Sequence, residues 1–175
     1  MLSILLSPLV KQYIATDIPE LVPLIQKNIW HNFPPLRPSS PSRLSTLATN
    51  GPLLQLPGSN IEVRSLDWIS MHASSPAQRQ RIVPVDPDLD IILVVDCIYH
   101  PSLSPPLLST IDHLTIPGKT CVLVLSELRS EDVLAEFINL WVGIPAWEVR
   151  HVGGNLLRDK RYVLWAGWKR LSQTT

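Results

Sequence analysis

The sequence is poor in the residues that staple or clamp a chain. It holds two cysteines, Cys97 and Cys121, in 175 residues. So few exclude a disulfide framework, and no Cys/His set has zinc spacing. Each cysteine falls on a segment that reads as a parallel strand, Cys97 at a carboxyl end and Cys121 at an amino end. At roughly 3.3 Å per residue along a strand, the two stand too far apart to be bridged. Two thiols in a reducing compartment are the expectation.

Glycine is also scarce. The seven glycines begin at Gly51, and no Gly-x-Gly-x-x-Gly occurs. That argues against a dinucleotide-dependent oxidoreductase. Fifteen basic residues balance fifteen acidic ones, so no excess charge calls for nucleic acid as the main partner. No apolar run approaches the ~20 residues of a membrane span. Met1 to Val10 is greasy but lacks the basic leader of a signal peptide. A soluble, cytoplasmic protein is expected, with the nucleus as a second compartment.

What is present is a globular composition, 45% apolar and 17% charged, long enough for one domain, residues 1–175, with its own core. Its focus is Asp88 to Pro101. Five apolar residues, Ile91 to Val95, stand in a row and predict a strand covered on both faces. The run stops at Asp96. In open α/β sheets ligands sit beyond the carboxyl ends of strands, so Asp96 and Tyr99 stand where chemistry is expected. The alternative is that Asp96 forms a turn and Tyr99 packs in the core.

Leu2, Leu5, Leu6 and Leu9 fall at helical spacing and predict an N-terminal helix with that face inward. Gln12 to Thr16 predicts a strand ending in Asp17. The next helix presents Leu21, Leu24, Ile25 and Ile29 and runs to about Asn32; Pro23 is tolerable only in its first turn. Residues 33–60 hold six prolines and read as a Pro/Ser-rich loop insertion. Ile61 to Arg64 predicts a strand ending in Ser65-Leu66-Asp67-Trp68, and Met71 to Pro87 an irregular stretch. Ser104 reads as the cap of a helix begun by Pro105 and Pro106, with Leu107, Ile111 and Leu114 inward. Thr120 to Leu125 is a strand. Ser130 reads as the cap of a helix that buries Leu134, Phe137, Ile138 and Trp141. Trp147 to Val152 and Arg161 to Trp168 form an antiparallel hairpin. The alternation predicts a mostly parallel, Rossmann-like α/β sheet with the hairpin supplying an antiparallel edge.

Several motifs occur in a telling order: Ile14-Ala-Thr-Asp17-Ile-Pro-Glu-Leu21, then Lys27-Asn28-Ile29 and Asn32, then Leu66-Asp67-Trp68, then Asp96-Cys-Ile-Tyr99-His-Pro101, then Glu127-Leu-Arg129 and the closing Trp165-Ala-Gly-Trp-Lys169. Together they resemble the seven-β-strand methyltransferase-like protein-lysine methyltransferases, of the fungal ribosomal lysine N-methyltransferase 5 type. The resemblance implies S-adenosyl-L-methionine as cofactor and a protein substrate, with a ribosomal protein suggested. It implies that Asp17 accepts the ribose hydroxyls, that Trp68 and Asp67 border the adenine, and that the backbone of Val95 lies near the cofactor. It implies that Asp96 and Tyr99 face the methyl-accepting lysine.

The family's first strand and its Gly-x-Gly loop have no counterpart here. The expectation is a chain beginning inside the helix after that loop, as a fragment, or with Met1 to Val10 reused in the gap. A non-catalytic chain of the same fold, acting only in binding, is the second reading. On their own, Asp17 reads equally as a helix cap and Trp68 as a core residue. Glu127 and Arg129 read as a structural pair, and His72, His100 and His151 as loop or surface residues.

Overall fold

The structure, a computed structural model, describes residues 2–33, 58–129, 131–153 and 157–171. The expected Pro-rich loop falls almost wholly outside these residues, and the expected Ser130 cap lies outside them too. The chain divides into two compact units, Met1–Asp67 and Trp68–Thr175.

The first unit opens with a short helix, α1 (Leu2–Leu6), continued by a 3-10 turn over Ser7–Leu9. The expected inward leucine face is overturned. Ser3 and Ser7 are the buried residues, while Leu5 and Leu9 are 71% and 78% exposed. The change from 3.6 to 3.0 residues per turn after Leu6 breaks the phase on which that stripe depended. Strand β1 (Tyr13–Asp17) follows, then α2 (Val22–Asn32), then β2 (Ile61–Ser65). Pro23 lies in the first turn of α2, where a missing N–H costs nothing. β1 and β2 pair in parallel, with Tyr13 opposite Ile61 and Asp17 opposite Ser65. Asn60 sets this register. Its backbone carbonyl accepts from the Tyr13 amide at 2.9 Å, and its side-chain amide donates to the carbonyls of Ser7 and Val10 at 2.7 and 2.9 Å.

The second unit begins with two short helices, α3 (Trp68–Ala73) and α4 (Pro76–Ile82), where an irregular stretch was expected. The start of α4 was legible. Ser75 and Gln78 form a reciprocal capping box, and Pro76 sits in the first turn. Strand β3 (Ile91–Val95) runs to a 3-10 turn at Pro101–Leu103 and helix α5 (Ser104–Leu114). Ser104 is already helical at φ −61 and ψ −49, so it does not cap α5. The 3-10 turn leads directly into the helix and takes the cap's place. β4 (Cys121–Glu127), α6 (Glu131–Val142), β5 (Trp147–His151) and β6 (Tyr162–Lys169) complete the unit.

The sheet order is β3-β4-β6-β5, with β3 and β4 parallel and β6 antiparallel to both of its neighbours. The hairpin therefore does not end in an antiparallel edge. Its antiparallel strand is internal, and β5 forms the border. Six strands are described in all. One sheet face packs Val94, Val122, Val124 and Trp147 against Leu107, Leu108 and Ile111 of α5 and Leu134, Phe137, Ile138 and Trp141 of α6. The helical stripe expected for α6 is the buried one.

The expectation for β3 needs correction. It lies at the border of the four-stranded sheet and is not covered on both faces. Val94 is buried, but Ile91 and Leu93 are 52% and 38% exposed. An unbroken apolar run reports that a strand avoids charge, not how many neighbours it has. Cys121 pairs with Ile91 at the start of the β3–β4 ladder, so Cys97 lies six residues further along. That is a separation of about 20 Å at the usual rise, far outside disulfide range. Among the described residues no helix is long and apolar enough to cross a membrane.

Candidate active site

Two parallel strands of the second unit, β3 and β4, end side by side, with Val95 opposite Leu125. Past that pair the backbone changes character. Asp96 has φ +54 and is the only non-glycine residue in the left-handed region among those described. Aspartate tolerates this better than most residues, because its short polar side chain can bond locally. Its carboxylate is turned out of the ladder and lines a hollow of about 200 Å³ together with Ile98, Tyr99, Glu127 and Arg129. The two residues expected to face a substrate, Asp96 and Tyr99, thus meet in one place. Tyr99 is 65% exposed, which rules out the core-packing alternative for its ring.

Glu127 and Arg129 line the same hollow, although sequence reading took them for a structural pair. They are a pair as well. Arg129 Nε donates to Glu127 Oε2 at 2.5 Å, and Arg129 Nη2 lies 3.4 Å from Asp96 Oδ2. The paired carboxylates, Glu127 first and Asp96 less strongly, hold the guanidinium above its usual pKa. The missed signal was simple. Ser126-Glu127 closes a strand parallel to β3, so the rule that singled out Asp96 applies equally to Glu127. His100 is structural. Its Nδ1 accepts from the Ser102 amide at 3.3 Å and steadies the turn after Tyr99.

The first unit presents its own strand ends. Asp17 is the last residue of β1, and its carbonyl accepts from the Leu66 amide at 2.8 Å. The ladder thus continues one residue beyond Ser65, and Asp17 and Asp67 leave the same end of the two-stranded sheet. Asp17 Oδ1 accepts from the Ile18 amide at 2.8 Å. Asp17 is not a helix cap, because α2 begins at Val22 behind Leu21. Among the described residues its second carboxylate oxygen has no partner, so it can accept a hydroxyl. Trp68 opens α3 and is half-buried against the core of the second unit. Val95 is half-buried, and its carbonyl accepts from the Cys97 thiol at 3.3 Å. No group of three or more His, Cys, Asp or Glu suited to a metal occurs among the described residues.

Comparison with known proteins decides the family. The sequence profile of a family described as lysine methyltransferase matches residues 4–141. The chain belongs to the lysine methyltransferase family. Among its relatives, ribosomal lysine N-methyltransferase 5 of Lachancea thermotolerans is 30% identical over 144 residues, covering 79% of this chain and 43% of the relative. The protein of the same name from Kluyveromyces lactis is 25% identical over 174 residues, covering 94% of this chain and 53% of that protein. Diaminohydroxyphosphoribosylamino-pyrimidine deaminase of Schizosaccharomyces pombe is 30% identical over 137 residues, covering 77% of this chain and 26% of its own length. The chain therefore spans about half the length of the two ribosomal methyltransferases.

Proposed function

We propose that this chain carries the substrate-side chemistry of an S-adenosyl-L-methionine-dependent protein-lysine N-methyltransferase whose substrate is a ribosomal protein. The family membership and the names of the two methyltransferase relatives support it. The observation that carries the reading is the convergence of Asp96 and Tyr99 on one hollow at the carboxyl end of β3.

The donor chemistry suits the proposed cofactor. The half-engaged carboxylate of Asp17 is a fitting acceptor for ribose hydroxyls. Asp67, the Trp68 ring and the backbone at Val95 are the proposed adenine-side and cofactor-side groups. When bound, the cofactor supplies an electrophilic methyl group on a sulfonium. The chain's own residues then need only present an amine. Asp96 attracts the lysine ammonium out of water and fixes its nitrogen as the proton leaves to solvent. Tyr99 offers an aromatic face, which favours a cation before that loss. Most of the catalytic gain in such a site comes from holding the amine close and in line.

The test combines calorimetry with S-adenosyl-L-methionine and transfer of a radiolabelled methyl group to purified ribosomal proteins. Asp96→Asn should abolish labelling and leave cofactor affinity unchanged. Tyr99→Ala should raise KM for the protein substrate about two- to fivefold, the scale of an exposed cation–aromatic contact. Absence of heat at millimolar cofactor, together with absence of label, retires the reading for this chain.

A further inference from the structure

The hollow that holds Asp96 and Tyr99 already contains a cation. We infer that Arg129 is a resident competitor for the substrate's ammonium group, and that Glu127 shares with Asp96 the task of holding that ammonium. This rests on the reading of the hollow as the lysine site.

Charge is the first argument. The hollow is lined by two carboxylates and one guanidinium, which leaves one negative charge over. The neighbouring Arg161 is paired with Asp159 at 2.7 Å, and Glu127 acts on it only weakly, so it adds little to that balance. With Arg129 seated on the carboxylates the hollow offers an incoming ammonium one net negative charge, and with Arg129 displaced it offers two. Exposure is the second argument. The Glu127 side chain is 18% exposed and that of Arg129 is 68% exposed. The carboxylate is thus the built-in part, and the guanidinium reaches it from the solvent side. Ion pairs with one partner this exposed are weakly held, since they must also immobilise a long side chain. Arg129 also spans its two acceptors unevenly, close to Glu127 at 2.5 Å and loose from Asp96 at 3.4 Å.

A lysine ammonium is a compact point charge with three donors, whereas a guanidinium is a flat fork. It can settle between the two carboxylates while its alkyl stem lies along Ile98 and the Tyr99 ring, the apolar walls of the hollow. Arg129 stays charged at every working pH, so it screens the empty carboxylates constantly and yields only to a cation that fits better. The consequence is selectivity. A weakly fitting amine does not displace Arg129.

The experiment titrates n-butylammonium chloride, a lysine side-chain mimic, into the full chain, followed by NMR of the amides of Asp96 and Tyr99. Arg129→Ala should bind it about two- to fivefold more tightly than the wild type, the scale of an exposed ion pair. Arg129→Lys, which keeps the competing charge, should stay near the wild-type value, and Glu127→Gln should bind more weakly. An Arg129→Ala protein that binds equally or less well shows Arg129 to be a positioning residue and overturns the proposal. Absence of saturable binding in every variant overturns it as well. The butylammonium titration needs no cofactor. Failure of S-adenosyl-L-methionine calorimetry with the titration intact would therefore remove the methyltransferase reading and leave the competitor standing.

Discussion

The amide of Asp96 donates to the carbonyl of Leu125 at 2.8 Å, although Asp96 itself stands at φ +54. The β3–β4 ladder thus makes its last bond through a residue already in the left-handed region. That bond fixes where the carboxylate begins, and the unusual φ turns it toward Glu127 and Arg129. An ordinary residue in this conformation costs about 1–2 kcal/mol. Comparing Asp96→Ala with Asp96→Gly isolates the backbone contribution, because both lack the carboxylate. Asp96→Ala should unfold at lower denaturant than Asp96→Gly, by about 1 kcal/mol. Equal midpoints mean that the conformation carries no strain.

Asp17 is the proposed ribose acceptor at the end of β1. Replacing it with alanine should weaken S-adenosyl-L-methionine binding by about 1–3 kcal/mol, the usual loss when a charged hydrogen-bond partner is removed. Calorimetry measures it directly. Unchanged affinity takes Asp17 out of the site.

Gly167 lies inside β6, opposite Val122 on one side and Val149 on the other. A Cβ built there would stand 2.3 Å from Cζ2 of Trp141, a fully buried ring. Trp141 is itself gripped by Phe137 and Trp147, with ring centroids at 5.9 and 5.4 Å. It has no room to retreat. Gly167→Ala should therefore destabilise the second unit by about 1–3 kcal/mol, the cost of overpacking a filled core. Thermal unfolding by near-ultraviolet circular dichroism follows this directly through the tryptophans.

Asp159 and Arg161 form an exposed pair, and the Arg161 side chain lowers the Asp159 pKa to about 2. An unfolded aspartate titrates near 3.9. The folded state therefore binds this proton less readily. The pair's contribution is fully present above about pH 4 and is lost as pH falls through about 2. Arg161→Gln should flatten the stability–pH curve between those limits, lowering stability near neutrality and converging with the wild type as pH falls to about 2. Urea midpoints at pH 2, 3, 4 and 7 give the comparison.

Much of this architecture was open to reading from residues alone. The α6 stripe of Leu134, Phe137, Ile138 and Trp141 matches its buried face, because a 3.6 period over twelve residues leaves little choice of orientation. The β5–β6 hairpin and the parallel pairing of β3 with β4 are likewise as expected. The α1 leucines misled because five helical residues followed by a 3-10 turn are too short to fix a face. Glu127 and Arg129 pair as expected, but their place beside Asp96 was not legible. A carboxylate two positions from an arginine looks complete in sequence, and nothing local shows that Asp96, 33 positions away, shares the guanidinium.

Local chemistry alone determined where strands stop and which acids close them, since apolar runs and their breaks are properties of neighbouring residues. Only the tertiary structure decided which of those ends meet. Lateral order in a sheet is set by hydrogen bonds between segments far apart in the chain, and these left β3 at a border, put β6 inside, and brought Asp96, Tyr99, Glu127 and Arg129 around one hollow.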